Sequence, residues 1–276
     1  MNTLSDEQWL AANLDPRTYR EKSTIDIPGL PPPNVQVRFT GMHGKANLRQ
    51  AFDFYKFALR HMPTASIARY RLVDFGGGWG RVTRFFLREV DADRLLLLDC
   101  LSDAVECARS LKPPFNVVHT NAQPPLPLEM ASADCCIAFS VFSHLSEKAC
   151  IGWIQHLGEL LVPGGTLIFT TRGKWQIERL RLHKRLGFIY KLLRRGNVHE
   201  QITSRASLDQ VEQRYDDGLF QFFPTGGGGE LTEDFYGETW IPEQWMREKY
   251  SSLGFRRCEF FQEQSSITQC TFVLTK

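Results

Sequence analysis

Val73-Asp74-Phe75-Gly76-Gly77-Gly78-Trp79-Gly80-Arg81 is the stretch that decides how this chain folds. An apolar run with one acid leads into glycines at 76, 78 and 80, and a helix-compatible run from Arg81 to Val90 follows. Glycine serves where a loop takes φ > 0 or lets a ligand touch the backbone. A strand, a glycine turn and a helix N-terminus in succession make a cradle for a polar cofactor. The spacing is G-x-G-x-G. A dinucleotide fingerprint needs G-x-G-x-x-G, whose last glycine would fall on Arg81, and a phosphate loop needs a Lys that is absent here.

Reading outward, Arg94-Leu-Leu-Leu-Leu-Asp99 is a second apolar run ending in an acid. Asp99 stands 19 residues after Gly80, close to the roughly 20-residue spacing at which an acid reaches a ribose hydroxyl in dinucleotide folds. Ala133 to Ser140 is a third such run, followed by Val141-Phe-Ser-His-Leu145. Leu160-Leu-Val-Pro-Gly-Gly-Thr-Leu-Ile-Phe-Thr170 joins the end of a helix to a further strand. These four segments, in this order over residues 71–171, resemble the class I S-adenosylmethionine (SAM) dependent methyltransferases, whose first motif is written D/E-x-G-x-G-x-G.

The resemblance implies a doubly wound, mostly parallel seven-stranded α/β sheet, with an N-terminal helical extension and an insertion before the penultimate helix. It implies S-adenosyl-L-methionine as cofactor. Asp74, Gly76, Gly78 and Gly80 would then border its methionine end and Asp99 its ribose, with Gly77 and Cys100 also in the cofactor site. Asn121 and Ala122 would border the adenine, and Ser140 the transferred methyl. Asn121 stands where the family often has an acid, and its carbonyl can still accept from an exocyclic amine. Trp79 borders the cofactor or packs on the first helix.

The cofactor brings the reactivity and the protein supplies position and dry surroundings. A base is needed only when the acceptor holds its proton, as a hydroxyl does, so the family has no universal catalytic residue. His144, just beyond the fourth strand, is the candidate base, since neutral imidazole can take a proton; the alternative is a supporting role for the following helix. Arg172, at the exit of the fifth strand, can grip an acceptor carboxylate or phosphate with a bidentate fork. Tyr236, with Glu238, His183 and His199, lies in the insertion and can contact the acceptor.

Alternation of strand and helix predicts strands at 71–75, 94–99, 115–119, 133–139 and 165–171, and helices at 81–90, 102–111 and 146–161, joined by right-handed crossovers. Ahead of them, Ser5–Leu14 and Arg49–Met62 read as helices flanking a proline-rich stretch. Behind them, Pro242–Leu253 reads as a helix capped by Gly254, and 255–261 and 268–274 as two final strands. The expected division is an N-terminal extension at 1–66, a cofactor-binding core at 67–172, an insertion or lid at 173–240, and a return to the core at 241–276.

Residues 172–205 carry ten Lys and Arg against two acids, while the whole chain is only +2. Leu182, Leu186, Ile189 and Leu193 fall on one helical face. A basic amphipathic helix can lie on an anionic membrane, meet an anionic acceptor, or be a solvated face over an ordinary core stripe. Pro224-Thr-Gly-Gly-Gly-Gly-Glu230 reads as a hinge for a lid or as a loose surface loop.

A composition of 42% hydrophobic and 23% charged residues is that of a globular protein. The net charge of +2 gives no footprint for nucleic acid. The polar N-terminus shows no signal peptide, no apolar run spans a bilayer, and the seven cysteines show no zinc spacing. The expectation is a cytoplasmic enzyme with reduced cysteines and no metal. The Pro-Pro-Tyr motif that many amino-group methyltransferases carry after the fourth strand is absent, since Ser140-Val-Phe-Ser stands there. That points to O-methylation of a small-molecule or glycan-like acceptor, either neutral or anionic. The alternatives are a module that binds SAM or its product without turnover, and a methyltransferase acting on a lipid-linked acceptor at a membrane surface.

Overall fold

The computed structural model of the chain describes residues 4–19, 25–62, 67–185, 202, 204–264 and 266–276. Four helices come first: α1 (Asp6–Leu14), α2 (Pro16–Tyr19), α3 (Pro33–Thr40) and α4 (Gly44–His61). Then follow β1 (Leu72–Phe75), β2 (Leu95–Asp99), α5 (Ser102–Ser110), β3 (Asn116–His119), β4 (Ala133–Ala138), α6 (Glu147–Leu160), β5 (Leu161–Thr171) and α7 (Lys174–Arg185). After these come α8 (Leu208–Asp216), β6 (Gln221–Pro224), β7 (Gly237–Trp240), α9 (Glu243–Lys249), β8 (Arg257–Phe261) and β9 (Cys270–Thr275).

Seven strands form one sheet in the order β3-β2-β1-β4-β5-β9-β8. The β1–β2, β1–β4 and β2–β3 pairs are parallel, and β8–β9 is antiparallel. This is the mostly parallel seven-stranded sheet that the alternation implies. The strands advance from β1 to β3 on one side of β1, and β4 then enters on its other side. The order therefore reverses between β1 and β4, where doubly wound sheets open their ligand crevice at the carboxyl ends of the strands.

The chain divides into two compact units, 1–139 with 159–168 and 276, and 140–158 with 169–275. In the first, Ser5 and Gln8 form a capping box that starts α1, and Gly41, at φ 70°, ends α3. The α4 helix buries Leu48, Phe52, Tyr55 and Ala58, among others, along one side, as helical spacing of apolar residues requires.

The helix expected over 81–90 is instead a run of turns and a 3-10 helix, Thr83–Arg88. Thr83 through Leu87 are all buried, so the segment has no solvent face to complete an amphipathic helix. The carbonyl of Phe85 accepts from the Trp9 indole N–H at 3.0 Å, and the amide of Glu89 turns to Phe86. The ladder tightens to i→i+3 accordingly.

In the second unit, β6 and β7 form an antiparallel hairpin that the sequence reading did not contain. A Cβ on Gly237 would meet the Phe223 carbonyl at 2.2 Å, so glycine is what lets the two strands approach. The four-glycine run is the loop of this hairpin. The amides of Thr225 and Gly226 donate to the Tyr236 carbonyl and that of Gly227 to Leu231, and Gly226, Gly228 and Gly229 take positive φ.

The start of the basic stretch is α7, and two of its cations are paired. Arg181 pairs with Asp209 and Glu212, and Lys174 with Asp216, all from α8. Beneath them Ile177, Ile202, Leu208, Val211, Phe223 and Trp240 make a local core. Leu182 is exposed, while Leu186, Ile189, Leu193 and His199 lie outside the described residues. Among the described residues no helix is long and apolar enough to cross a membrane, no group of side chains is arranged to hold a metal ion, and all seven cysteines are free thiols.

Candidate functional site

The glycine loop leaves β1 at its carboxyl end. Gly76, Gly78 and Gly80 take φ of 69°, 58° and 83°, conformations that a side chain disfavours. The amides of Gly76 and Gly77 donate to the Leu98 carbonyl, which ties the loop to β2. Space beside Gly78 is open, with nothing within 4 Å of where a Cβ would stand. Gly77 and Gly80 face inward instead. A Cβ on Gly77 would lie 2.7 Å from Leu97 and 3.1 Å from the Asp74 carboxylate, and one on Gly80 3.1 Å from Phe115. Gly78 is thus the position at which a ligand can approach backbone.

Asp74 is fully enclosed, and its Oδ2 accepts from the Thr83 hydroxyl at 2.5 Å. Burial pushes its carboxyl up to about 6, against the pull of Thr83. Asp74 thus braces the loop against the segment that follows it. Asp99 ends β2 and is nearly buried. Its Oδ2 accepts from the Gly78 amide and its Oδ1 from the Leu101 amide, both at 2.9 Å. Burial raises its carboxyl, while these amides draw it back down. A carboxylate clamped in this way has one orientation, and each oxygen keeps a lone pair for a ribose hydroxyl. Removing it by Asp99→Ala is expected to weaken SAM binding by about 1–3 kcal/mol, read by calorimetry; unchanged affinity would take Asp99 out of the site.

Around these, the Cys100 carbonyl contacts the His119 Nε2 at 3.0 Å. Asn121 is exposed and Ala122 buried just past β3. Trp79 is buried, with the Arg84 guanidinium over its ring at 5.8 Å, and its indole N–H is enclosed without a partner. A loop with one open glycine, a fixed carboxylate beside it and an unspent buried donor fits a polar nucleoside cofactor.

The other sequence-predicted residues fall in the second unit. The backbone of 143–146 is laced to 235–239: Gly237 donates to the His144 carbonyl at 2.7 Å, Thr239 to Ser143 at 2.9 Å, and Ser146 to Phe235 at 2.9 Å. This lacing sets His144 against the hairpin. Its ring stacks on Tyr236 with centroids 5.0 Å apart and planes 6° from parallel, and its Nδ1 lies 2.9 Å from the Gly237 carbonyl. A carbonyl only accepts, so Nδ1 carries the proton and Nε2 the lone pair. Burial, with Arg172 nearby, pushes His144 down to about 3.

Arg172 is half-buried and occupied. It pairs with Glu238, donates from Nε to the Ser143 carbonyl at 3.3 Å, and lies over Trp240 at 5.5 Å. Glu238 is 5% exposed and its Oε1 stands 3.6 Å from His144 Nδ1. Burial raises its carboxyl and Arg172 opposes the rise. Ser140, at φ 64°, donates its amide to Thr170 at 2.7 Å, and its hydroxyl accepts from Gln269 at 2.8 Å and lies 3.2 Å from that of Ser143.

Thr83 of the 3-10 segment and, on α4, Asn47 and Gln50, which accept from the Arg81 guanidinium, escaped the sequence reading. A lone polar residue in an apolar segment carries no motif, and only tertiary packing gives it a role.

Residues 72–165 match the family described as methyltransferase domain. None of the curated proteins compared matches the chain. Among solved structures, a SAM-dependent methyltransferase from Leishmania major is 14% identical, covering 98% of this chain and 84% of that one at a TM-score of 0.53. Streptomyces venezuelae DesVI is 13% identical, covering 89% and 98% at 0.51. A SAM-dependent methyltransferase from Mesorhizobium loti is 18% identical over 46% of this chain at 0.39, and the chain spans 56% of that protein's length. At these identities the likeness to the solved structures is one of fold. Residues 72–165 are thus similar to a methyltransferase domain, and the glycine loop, the β2 carboxylate and the seven-strand order are those of the class I methyltransferase fold, which implies S-adenosyl-L-methionine as cofactor.

Proposed function

We propose that the enzyme methylates a hydroxyl oxygen of a small-molecule or glycan-like acceptor, with His144 as general base. The observation that carries this reading is the state of His144: a neutral, half-enclosed imidazole whose Nδ1–H is committed to Gly237, leaving Nε2 without a protein partner among the described residues. An amine acceptor can shed its proton beforehand, whereas a hydroxyl needs a base as the bond forms.

Bound S-adenosyl-L-methionine supplies an electrophilic methyl on a cationic sulfur. Asp99 and the Gly78 backbone would hold its nucleoside end. His144 Nε2 would take the proton of an acceptor hydroxyl and become imidazolium. Tyr236 keeps the ring plane, and the Ser140 hydroxyl, backed by the buried Ser143, can meet a polar acceptor. Arg172 is already neutralised by Glu238, which favours a neutral acceptor over the anionic one that its position first suggests.

The test is transfer of labelled methyl from SAM into a panel of phenols, sugars, carboxylic acids and amines. Label in an alkali-stable ether supports the reading. Label in amines, or in alkali-labile esters, overturns the O-methylation of a hydroxyl. SAM binding with no transfer to extract or panel favours the binding-module alternative.

A further inference from the structure

We infer that Arg81, presented by Asn47 and Gln50 of α4, binds the carboxylate at the amino-acid end of S-adenosyl-L-methionine and makes the site require that end. Two arginines beside the glycine loop are buried, and they differ in how their donors are used. Arg84, fully enclosed, donates from Nε to Asn13 at 2.9 Å and from its two Nη atoms to the carbonyls of Gly29 and Pro28. Each of its three nitrogens has a protein acceptor, and its role is architectural.

Arg81 is 8% exposed and uses one corner only. Its Nη1 donates to Asn47 Oδ1 at 2.7 Å, the Asn47 carbonyl at 3.3 Å and Gln50 Oε1 at 3.0 Å. All three acceptors are neutral. Among the described residues Arg81 has no ion pair, and its Nε and Nη2 have no hydrogen-bond partner. Asp74 acts on it through space, but that carboxylate is bonded to Thr83. A buried cation without an anion is costly, and burial draws this guanidinium down to about 10. The free Nε–Nη2 edge is the two-donor fork that matches a carboxylate.

Position supports the same reading. Arg81 follows Gly80 directly, and its guanidinium lies 4.9 Å over the ring of Phe139, the residue after β4. It therefore stands at the β1–β4 reversal, while Asp99 stands at the end of β2. A ligand with a ribose at one end and a carboxylate at the other meets an acceptor and a cation in that order.

Calorimetry with S-adenosylhomocysteine and with 5′-methylthioadenosine, the same nucleoside thioether without the amino-acid end, separates this from a packing role. In Arg81→Gln the affinity for S-adenosylhomocysteine is expected to fall about 10- to 100-fold, the range of a charge-assisted bond, with 5′-methylthioadenosine unchanged. Equal loss for both ligands, or loss for neither, overturns the inference. If Arg81→Gln does not melt cooperatively, Arg81→Lys, which keeps the charge and loses the fork, is read in the same way: a smaller loss confined to S-adenosylhomocysteine supports it. In the unmutated protein the carboxamide of S-adenosylhomocysteine is expected to bind weaker than the acid by a similar factor, and equal binding overturns the inference without any variant.

Discussion

Gly78→Val is expected to reduce SAM binding by more than 100-fold, on the order of 3 kcal/mol or more, in a protein that still melts cooperatively. At φ 58° a β-branched residue is strained by about 1–3 kcal/mol, so the melting temperature falls, but nothing lies within 4 Å of the new Cβ. The side chain therefore enters the open space beside the loop, and its Cβ meets no protein atom. Gly77→Ala is the contrast one residue away. Its Cβ would press on Leu97 at 2.7 Å and on the Asp74 carboxylate, which is bonded to Thr83, so it is expected to fail first in folding. Calorimetry and thermal melts on the pair check both outcomes. SAM affinity retained in Gly78→Val would mean that the open side of the loop does not face the cofactor.

The centre of the sheet was legible because β1, β2 and β4 are written as short apolar runs, a pattern set by burial on both faces. The glycine loop was legible because positive φ restricts residue choice so strongly. Three features were not legible, each for a physical reason. The segment after Arg81 has the composition of a helix, but tertiary hydrogen bonds from Trp9 and Thr83 claim its backbone and its neighbours. The β6–β7 hairpin hid because its strands are four residues each and its glycine loop resembles a linker. The pairing of Lys174 and Arg181 was hidden because their partners, Asp209, Glu212 and Asp216, come later in the chain. At the polar cluster of the second unit, His144 and Arg172 could be named from their places after strands. That Arg172 is paired with Glu238 depends on lacing between 143–146 and 235–239, which no local pattern announces.

His144→Asn is expected to lower kcat about 100-fold while leaving SAM affinity unchanged. General bases contribute roughly 10²–10⁴, and the lower end applies because an imidazole held near 3 has little thermodynamic pull on a proton. Asparagine is the informative replacement: its amide can keep the hydrogen bond to Gly237 and lacks anything at the place of Nε2. The pH dependence separates a base from a support. Because the folded enzyme holds His144 neutral down to about 3, kcat/KM should not decline between pH 8 and 5 on its account, whereas an unshifted imidazole would titrate near 6.5. Stability responds in the opposite way. Below about 6.5 the unfolded chain takes up a proton at His144 that the folded chain refuses, so stability is full above that pH and is lost as pH falls toward 3. In His144→Asn this part of the slope should vanish from melts taken between pH 7 and 5. A variant with normal kcat and a flattened stability slope would leave His144 as a buried support of the hairpin, and the proton acceptor would then be sought among the acceptor's own groups or in water.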